Sequence, residues 1–205
     1  MKLYDFWRST AGYRVRIALN LKGLDIETQD IDLFKGKNQE AEFRAVNPQG
    51  MVPALVLDDG TVLTQALAII EYLEELHPEP ALLPADPVLK AKVRAAALSI
   101  AADIHPVQNM AVAKRVDALA PGSFKGWISD TMHHRLPGVE ALLAANEGPY
   151  CFGDQVTLAD LCLIPQLYNA KAVELDLSPY PRLRAIDEAC LALPAFQEAM
   201  PQEPA

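Results

Sequence analysis

A cluster of prolines near residue 80 constrains the fold of this chain more than any other feature of its sequence. In the stretch HPEPALLPADP the prolines are Pro78, Pro80, Pro84 and Pro87. Proline has no backbone N–H and disfavours helical geometry in the residue before it, so neither a long helix nor a sheet strand continues through this stretch. The sequence therefore predicts an irregular linker at residues 79–87, between a domain at 1–78 and a domain at 88–205.

The residues before the linker alternate between strand and helix patterns. The apolar residues of Tyr13–Lys22 predict a largely buried helix that ends at Gly23. The segment Asp58–Gly60 lies between two short apolar runs and predicts a hairpin. Gln65–Leu76 has apolar residues at helical spacing. The other predicted elements are strands at Lys2–Phe6, Glu27–Leu33, Ala54–Leu57 and Thr61–Leu63, and a short helix at Asn38–Ala45.

Every long pattern after the linker is helical. Thr157 and Asp160 have the spacing of a capping box, which predicts the start of a core helix. The sequence thus predicts an α/β N-terminal domain followed by an all-α C-terminal domain. The predicted helices are Val88–Ala118, Phe124–Ala145, Leu158–Val173 and Leu183–Ala192, with a last turn near Ala195–Ala199.

Composition excludes several classes of function. The 205 residues carry a net charge of −9, which makes nucleic acid an unfavourable partner. No apolar run approaches the ~20 residues of a membrane span, and no signal peptide is visible. Neither the three cysteines nor the His133–His134 pair has the spacing of a metal site, so we expect no metal. The cysteines, which we expect to be buried thiols of a cytoplasmic protein, are Cys151, Cys162 and Cys190.

The order β-α-β followed by β-β-α is typical of a thioredoxin-like domain. Redox proteins of that fold carry two cysteines where the first strand meets the first helix, but this chain has the segment Arg8–Arg14 there, without cysteine. Dithiol exchange at that point is therefore excluded. Ser9 and Thr10 lie at a helix N-terminus, which favours an anion and promotes ionisation of a bound external thiol. The alternative is that one of these hydroxyls only caps the helix.

Two further segments have the chemistry of a peptide-binding site. Pro53 opens a strand where a thioredoxin-like sheet carries a cis-proline, which leaves the backbone N–H and C=O of Val52 available to an extended peptide such as glutathione. The alternative is a trans-proline at the start of an edge strand. Thr64–Ala66 begins a helix whose N–H groups, with the Gln65 amide, suit a carboxylate. Here the alternative is an ordinary helix start.

These segments together resemble the glutathione transferase superfamily over essentially the whole chain. The resemblance rests on RSTAGYRVRIALNLKG, NPQGMVPAL, TQALAIIEYLEE and FGDQVTLADLCLIPQ. The zeta class, which includes maleylacetoacetate isomerase and its bacterial relative maleylpyruvate isomerase, is the most similar. MKLYDFWRS and Ala102–Pro106 resemble the maleylpyruvate branch. The resemblance implies the glutathione transferase fold, glutathione as cosubstrate and a homodimer.

The resemblance also implies roles for individual residues. Ser9 would donate a hydrogen bond to the glutathione thiolate, and Thr10 would assist it. Arg8 would stabilise the enolate and His105 would supply a donor or a proton, although His105 could instead be a helix-face residue packed beside Pro106. The implied glutathione contacts are Val52 and Pro53 at the cysteinyl backbone, Gln65 and Ala66 at the γ-glutamyl end, Gln108 and Asn109 on the second-domain helix, and Lys35, Asn38 and Gln39 at the glycyl end.

Some positions depart from the family pattern. Ala11 and Ala66 stand where relatives have a cysteine and a serine. Ala111 and Ala172 stand where the isomerases have arginines for a substrate carboxylate, and Lys171 is adjacent to the second of these. The leading expectation is cis–trans isomerisation of a maleyl-type keto acid by reversible thiolate addition. The alternatives are a general glutathione transferase that acts on haloacids or other small electrophiles, and a non-catalytic binding protein of the same fold.

Overall fold

The protein is described by a computed structural model, which covers residues 1–203. The chain forms two compact units, one made of residues 1–81 with the segment that begins at Pro194, the other of residues 82–193. The first unit contains a four-stranded sheet with helices, and the second is helical. This confirms the predicted fold class, an α/β thioredoxin-like unit and an all-α unit.

The elements lie close to the predicted positions. Three strands end earlier than predicted, because pairing in the sheet stops before the apolar pattern does. The strands are β1 (Lys2–Asp5), β2 (Glu27–Asp30), β3 (Ala54–Val56) and β4 (Val62–Thr64). The helices are α1 (Thr10–Leu21), α2 (Ala41–Val46), α3 (Ala66–Leu76), α4 (Pro87–Ala101), α5 (His105–Gln108), α6 (Met110–Leu119), α7 (Phe124–Ala144), α8 (Leu158–Ala172), α9 (Pro181–Leu191) and α10 (Pro194–Ala199), with a 3-10 turn at Lys37–Gln39.

The sheet brings three chain segments to one edge. Its strand order is β2-β1-β3-β4, with β1 parallel to β2 and β3 antiparallel to both β1 and β4. Ala54, the first residue of β3, lies opposite Tyr4 of β1 and Thr64 of β4. Because β1 and β4 end where β3 begins, the residues that follow β1, precede β3 and follow β4 all leave the sheet at the same edge.

Helix α10 joins the first unit, although the sequence placed it in a domain at 88–205. The Tyr13 hydroxyl donates to the Phe196 carbonyl at 3.0 Å, and Arg16 Nε donates to the Ala199 carbonyl at 2.9 Å. Asn20 of α1 adds a third bond, to the Ala195 carbonyl at 3.0 Å. Polar groups of α1 thus satisfy carbonyls of a short helix that is more than 170 residues away in sequence, which no local pattern reveals.

The second unit has α8 as its most buried helix. Asp160 accepts bonds from the Thr157 N–H and hydroxyl at 2.8 and 2.9 Å, so the predicted capping interaction is present. A third bond comes from the Cys151 N–H at 2.8 Å. Burial raises the pKa of the Asp160 carboxyl group, and these N–H donors oppose the shift. The three cysteines are free and buried, as predicted.

The long helix predicted at Val88–Ala118 is three helices in the structure, α4, α5 and α6. Pro106 cannot donate the backbone bond that a continuous helix requires at that position. Asn109 has an extended ψ of 142° and accepts a bond from the Ala111 N–H at 2.9 Å, so it caps a new helix. No helix within residues 1–203 is long and apolar enough to cross a membrane.

A buried ammonium group joins the end of α1 to the end of α3. The Lys22 side chain is fully buried, and its Nζ donates to Glu74 Oε2 at 2.7 Å and to the His77 carbonyl at 2.5 Å. A third bond reaches the Pro80 carbonyl at 3.2 Å, at the start of the predicted linker. A single cation therefore satisfies the C-terminus of α3 and fixes the chain where it leaves the first unit.

We predict that Lys22→Met lowers the free energy of unfolding by about 3 kcal/mol, because it breaks a buried ion pair with Glu74 and removes the donor to two carbonyls. Urea denaturation measures the loss. The exposed Lys35, which pairs with Asp32 in the same unit, supplies the control: Lys35→Met should cost no more than about 1 kcal/mol. Equal losses for the two variants would contradict the role of burial.

Candidate active site

Ser9 caps α1 and keeps a hydrogen atom to donate. Its Oγ accepts a bond from the Gly12 N–H at 3.0 Å, and its own N–H donates to the Phe6 carbonyl at 2.8 Å. The bond from Gly12 is the capping role that the sequence offered as an alternative. A hydroxyl that accepts one bond can still donate its proton, so capping and donation to a bound anion are compatible.

The neighbours of Ser9 differ in exposure. Thr10 is the first residue of α1 and its side chain is buried, whereas Arg8 and Ser9 are half-buried. Of the two hydroxyls, that of Ser9 is therefore the more accessible to a ligand. Arg8 precedes the helix and brings a positive charge to the segment that leaves β1.

The backbone N–H and C=O of Val52 lie beside the sheet and are not used in its ladder. The Val52–Pro53 peptide bond is cis, as the sequence suggested. Sheet pairing begins at Ala54, and the backbone N–H and C=O of Val52 take no part in a backbone hydrogen bond among residues 1–203. An extended peptide would find one donor and one acceptor there.

The loop before Val52 is held by one buried and one exposed polar side chain. Asn47 is 1% exposed, and its Nδ2 donates to the Met51 carbonyl at 2.7 Å while its Oδ1 accepts from the Gln49 N–H at 3.1 Å. Arg44 donates to the Pro48 carbonyl at 2.9 Å. The backbone of this loop is thus fixed by Asn47 from inside the unit and by Arg44 at its surface.

Three residues predicted to bind the glycyl end of glutathione make other contacts. Asn38 donates to the Gly50 carbonyl at 2.7 Å, and Gln39 accepts from Arg44 at 2.8 Å. Lys35 forms an exposed ion pair with Asp32 at 3.1 Å. Gly50 has a φ of +65°, and a Cβ there would lie 3.0 Å from the Asn38 carbonyl oxygen, so the turn requires glycine. Asn38 and Gln39 therefore support the loop.

Gln65 has the most unusual backbone of the candidate site. Its φ of 70° and ψ of 118° lie outside the regions that residues with a side chain ordinarily adopt. The exposed side chain donates from Nε2 to Gln49 Oε1 at 3.4 Å, and Ala66, which begins α3, is buried. Strain of this kind is costly and is concentrated at binding and catalytic sites.

The second unit holds the remaining candidates. The amides of Gln108 and Gln166 are buried and donate to each other at 3.0 Å in both directions, which leaves Gln108 few bonds for a ligand. Asn109 is exposed and caps α6, and His105 is half-buried at the start of α5. The Lys171 ammonium is paired with the Asp187 carboxylate.

Two family descriptions match the chain. Residues 9–76 match the N-terminal domain of glutathione S-transferase, and residues 114–186 match its C-terminal domain. A maleylacetoacetate isomerase from Rhizobium meliloti is 46% identical over 97% of this chain and 95% of its own length. The chain belongs to the glutathione transferase family.

Solved structures place it in the zeta class of that family. A holo structure of maleylpyruvate isomerase, described as a bacterial zeta-class glutathione S-transferase, is 44% identical and covers 98% of this chain and 97% of its own, with a TM-score of 0.94. A maleylacetoacetate isomerase from Anaeromyxobacter dehalogenans with bound glutathione in the active site is 43% identical over 98% of this chain and 94% of its own, with a TM-score of 0.90. The same enzyme is also solved with bound dicarboxyethyl glutathione and citrate.

Several residues of this transferase that support the candidate site were not predicted from the sequence. Asn47, Arg44 and Gln49 all make bonds that position the Val52 loop, yet none was singled out. The signal for Asn47 was the sequence Asn-Pro-x-Gly, because asparagine before a turn bonds to the backbone two residues later. The ion pair between Asp5 at the end of β1 and Arg16 of α1 has no comparable local sequence signature.

We predict that Gln65→Gly is more stable than Gln65→Ala by about 1 kcal/mol, since glycine tolerates the positive φ and alanine does not. The two variants both lose the exposed amide, so their difference isolates the backbone. Thermal and urea unfolding measure it. A stability of Gln65→Ala equal to or above that of Gln65→Gly would show that the strained conformation is not present in solution.

Proposed function

We propose that this transferase is a glutathione-dependent cis–trans isomerase of a maleyl-type keto acid, such as maleylacetoacetate or maleylpyruvate. The observation that carries the proposal is the sheet edge shared by the Ser9 turn, Val52 and Gln65. It supplies a hydroxyl donor, an unpaired backbone edge and a helix start, which are the groups needed for a thiolate, a peptide backbone and a carboxylate.

Ser9 is the proposed partner of the reacting sulfur. Glutathione pairs its cysteinyl backbone with Val52, and its γ-glutamyl carboxylate lies at the start of α3 beside Gln65. The Ser9 hydroxyl donates to the sulfur, and the N-terminus of α1 favours its negative charge, so the bound thiol ionises more readily than in water.

The thiolate acts as the nucleophile and is regenerated. It adds to one carbon of the cis double bond, and the electron pair of that bond moves into the conjugated carbonyl as an enolate. Rotation about the new single bond follows. The enolate then re-forms the double bond in the trans geometry and expels the thiolate, so no atom is gained or lost.

Positive charge must stabilise the enolate while it exists. We assign this role to Arg8, because it lies next to Ser9 and is half-buried, where a charge is screened less than at an open surface. His105 is a proposed proton donor on the basis of the family resemblance. The Anaeromyxobacter relative was solved with dicarboxyethyl glutathione, which is glutathione bearing an ethyl group with two carboxyl groups. This ligand supports addition of the thiol to a diacid in that enzyme.

A specific contact favours a second candidate, general transfer of glutathione to small electrophiles. The sequence has alanine at 111 and 172, where the isomerases have arginines, and Lys171 was the candidate to replace the second of these. Its ammonium is already paired with Asp187, which reduces its value for a substrate carboxylate. A haloacid carries one carboxylate where a maleyl keto acid carries two, so haloacids and other small electrophiles would depend less on a second carboxylate contact.

We also propose a cytoplasmic location and a homodimer. Three buried free thiols and an acidic composition support the location. The family resemblance supports the dimer, and light scattering of the purified protein tests it: a mass of about twice the 22.4 kDa chain is expected.

We predict that Ser9→Ala lowers glutathione-dependent isomerisation of maleylpyruvate and maleylacetoacetate on the order of 10²-fold, because the thiolate loses its hydroxyl donor. Ser9→Thr keeps a hydroxyl that can cap and donate, so it should retain most of the activity. The assay follows formation of the trans product with and without glutathione.

Asp86→Ala separates catalysis from capping. Asp86 caps α4 by accepting from the Leu89 N–H at 2.7 Å, so its loss costs a helix cap without touching the site. This variant should lose stability comparably to Ser9→Ala but keep its turnover. Glutathione binding without isomerisation in the wild type would contradict the isomerase, and turnover of haloacids would then favour the second candidate.

A further inference from the structure

Asp5 is a buried carboxylate at the end of β1 that the proposed reaction does not use. It is 2% exposed, and its Oδ2 accepts a bond from Arg16. Among residues 1–203 no donor bonds to Oδ1. Burial raises the pKa of the Asp5 carboxyl group, and the charge of Arg16 opposes the shift. A residue so costly to bury requires an explanation beyond filling space.

The first turn of α1 rests on this carboxyl group. A Cβ built on Gly12 would lie within 2.5 Å of all three atoms of the Asp5 carboxyl group. The space that a side chain at position 12 would occupy is therefore filled by Asp5. Glycine at this position allows the backbone of α1 to sit directly on the charged group.

Gly12 connects Asp5 to Ser9. The same residue that packs on the Asp5 carboxyl group donates its N–H to Ser9 Oγ at 3.0 Å. A shift of Gly12 away from Asp5 would move this donor and with it the direction in which the Ser9 hydroxyl points its proton. Hydrogen bonds weaken steeply when donor and acceptor lose alignment, so small shifts matter.

Arg16 fixes the carboxyl group and the turn before Ser9 together. Besides its bond to Asp5, Arg16 donates to the Trp7 carbonyl at 3.1 Å and to the Ala199 carbonyl at 2.9 Å. The guanidinium thus holds the end of β1, the Trp7–Ser9 turn and the end of α10. Because Asp5 is pinned in this way, it cannot rotate aside to make room for a side chain at position 12.

We propose that Asp5 is a positioning residue for Ser9, whose carboxyl group seats the first turn of α1 through Gly12 and so aligns the Ser9 hydroxyl with the glutathione sulfur. The inference rests on the proposed function, because it requires that sulfur to bind at Ser9. The shape of the Asp5 side chain sets the alignment, and Arg16 both holds that shape and neutralises the charge that would otherwise repel a thiolate.

The test measures the pKa of bound glutathione thiol from the pH dependence of thiolate absorbance, together with kcat and KM. Asp5→Ala removes the carboxyl group on which Gly12 packs. It should raise that thiol pKa by about 1 unit and lower kcat roughly 10-fold or more, with a smaller change in KM for glutathione. Asp5→Asn keeps the shape without the charge and should not raise the thiol pKa. A role in stability alone would lower the unfolding temperature but leave the thiol pKa unchanged.

Gly12→Ala supplies an independent arm. The added methyl group should displace the first turn and raise the thiol pKa as Asp5→Ala does. Asp5→Ala in the Gly12→Ala background should restore much of the loss, because the methyl group enters the vacated space, whereas Asp5→Asn should restore nothing. Gly126→Ala is the matched control, since a Cβ at that helical glycine meets no atom within 4 Å, and it should leave the thiol pKa unchanged.

The outcomes separate the two proposals. If the wild type does not lower the thiol pKa of bound glutathione, the proposed function fails. If the wild type lowers it and Asp5→Ala leaves it at that value, only the positioning role is overturned. Equal restoration of Gly12→Ala by Asp5→Ala and Asp5→Asn would also overturn the positioning role, because shape would not be what couples the two residues.

Discussion

The pairing of Ala54 with Tyr4 on one side and Thr64 on the other is the constraint on which the candidate site depends. Because of this pairing, the end of β1, the start of β3 and the end of β4 lie at the same edge of the sheet. Each segment there has polar groups that the ladder does not use: the Ser9 hydroxyl, the backbone of Val52 and the amide of Gln65. A slip of β3 by one residue would exchange its two faces and move Val52 relative to Ser9. The hydrogen-bond register is therefore as much a part of the site as the side chains.

Polar side chains next to the sheet edge hold this arrangement in place, and burying their polar groups costs free energy. Asn47 uses both ends of its amide on the loop backbone, and Arg16 bonds to Asp5 and to two carbonyls. Each bond contributes about 1 kcal/mol, but a buried group that loses its partner costs more than that. Because partial disruption is penalised, such networks favour one arrangement of the loop over a range of similar ones. The proposed alignment of a hydroxyl with a sulfur would need this selectivity more than it needs total stability.

Much of the fold could be predicted because the signals are local. Gly23 ends α1 with a φ of +64°, and the spacing of Thr157 and Asp160 marks the start of α8. Ser9, Val52 and Gln65 were found in the same way, since helix starts and proline have clear sequence signatures.

The attachment of α10 to α1, the Gln108–Gln166 amide pair and the Asp5–Gly12 contact were missed, because each joins residues through space. The bond from the Asn38 amide to the Gly50 carbonyl was missed for the same reason, since that carbonyl is placed only by the folded turn.

Ser9 shows why a structural role and the proposed catalytic role need not compete. As the cap of α1, Ser9 Oγ must accept from Gly12, and this bond uses a lone pair and fixes the position of the oxygen. A hydroxyl held in this way keeps its proton for donation to an anion that approaches the positive helix end. The cap thus performs the alignment that a free serine would have to achieve at the expense of side-chain entropy. By the same reasoning, whatever fixes Gly12 also fixes the donor, and so a carboxylate with no direct access to substrate can influence the ionisation of a thiol.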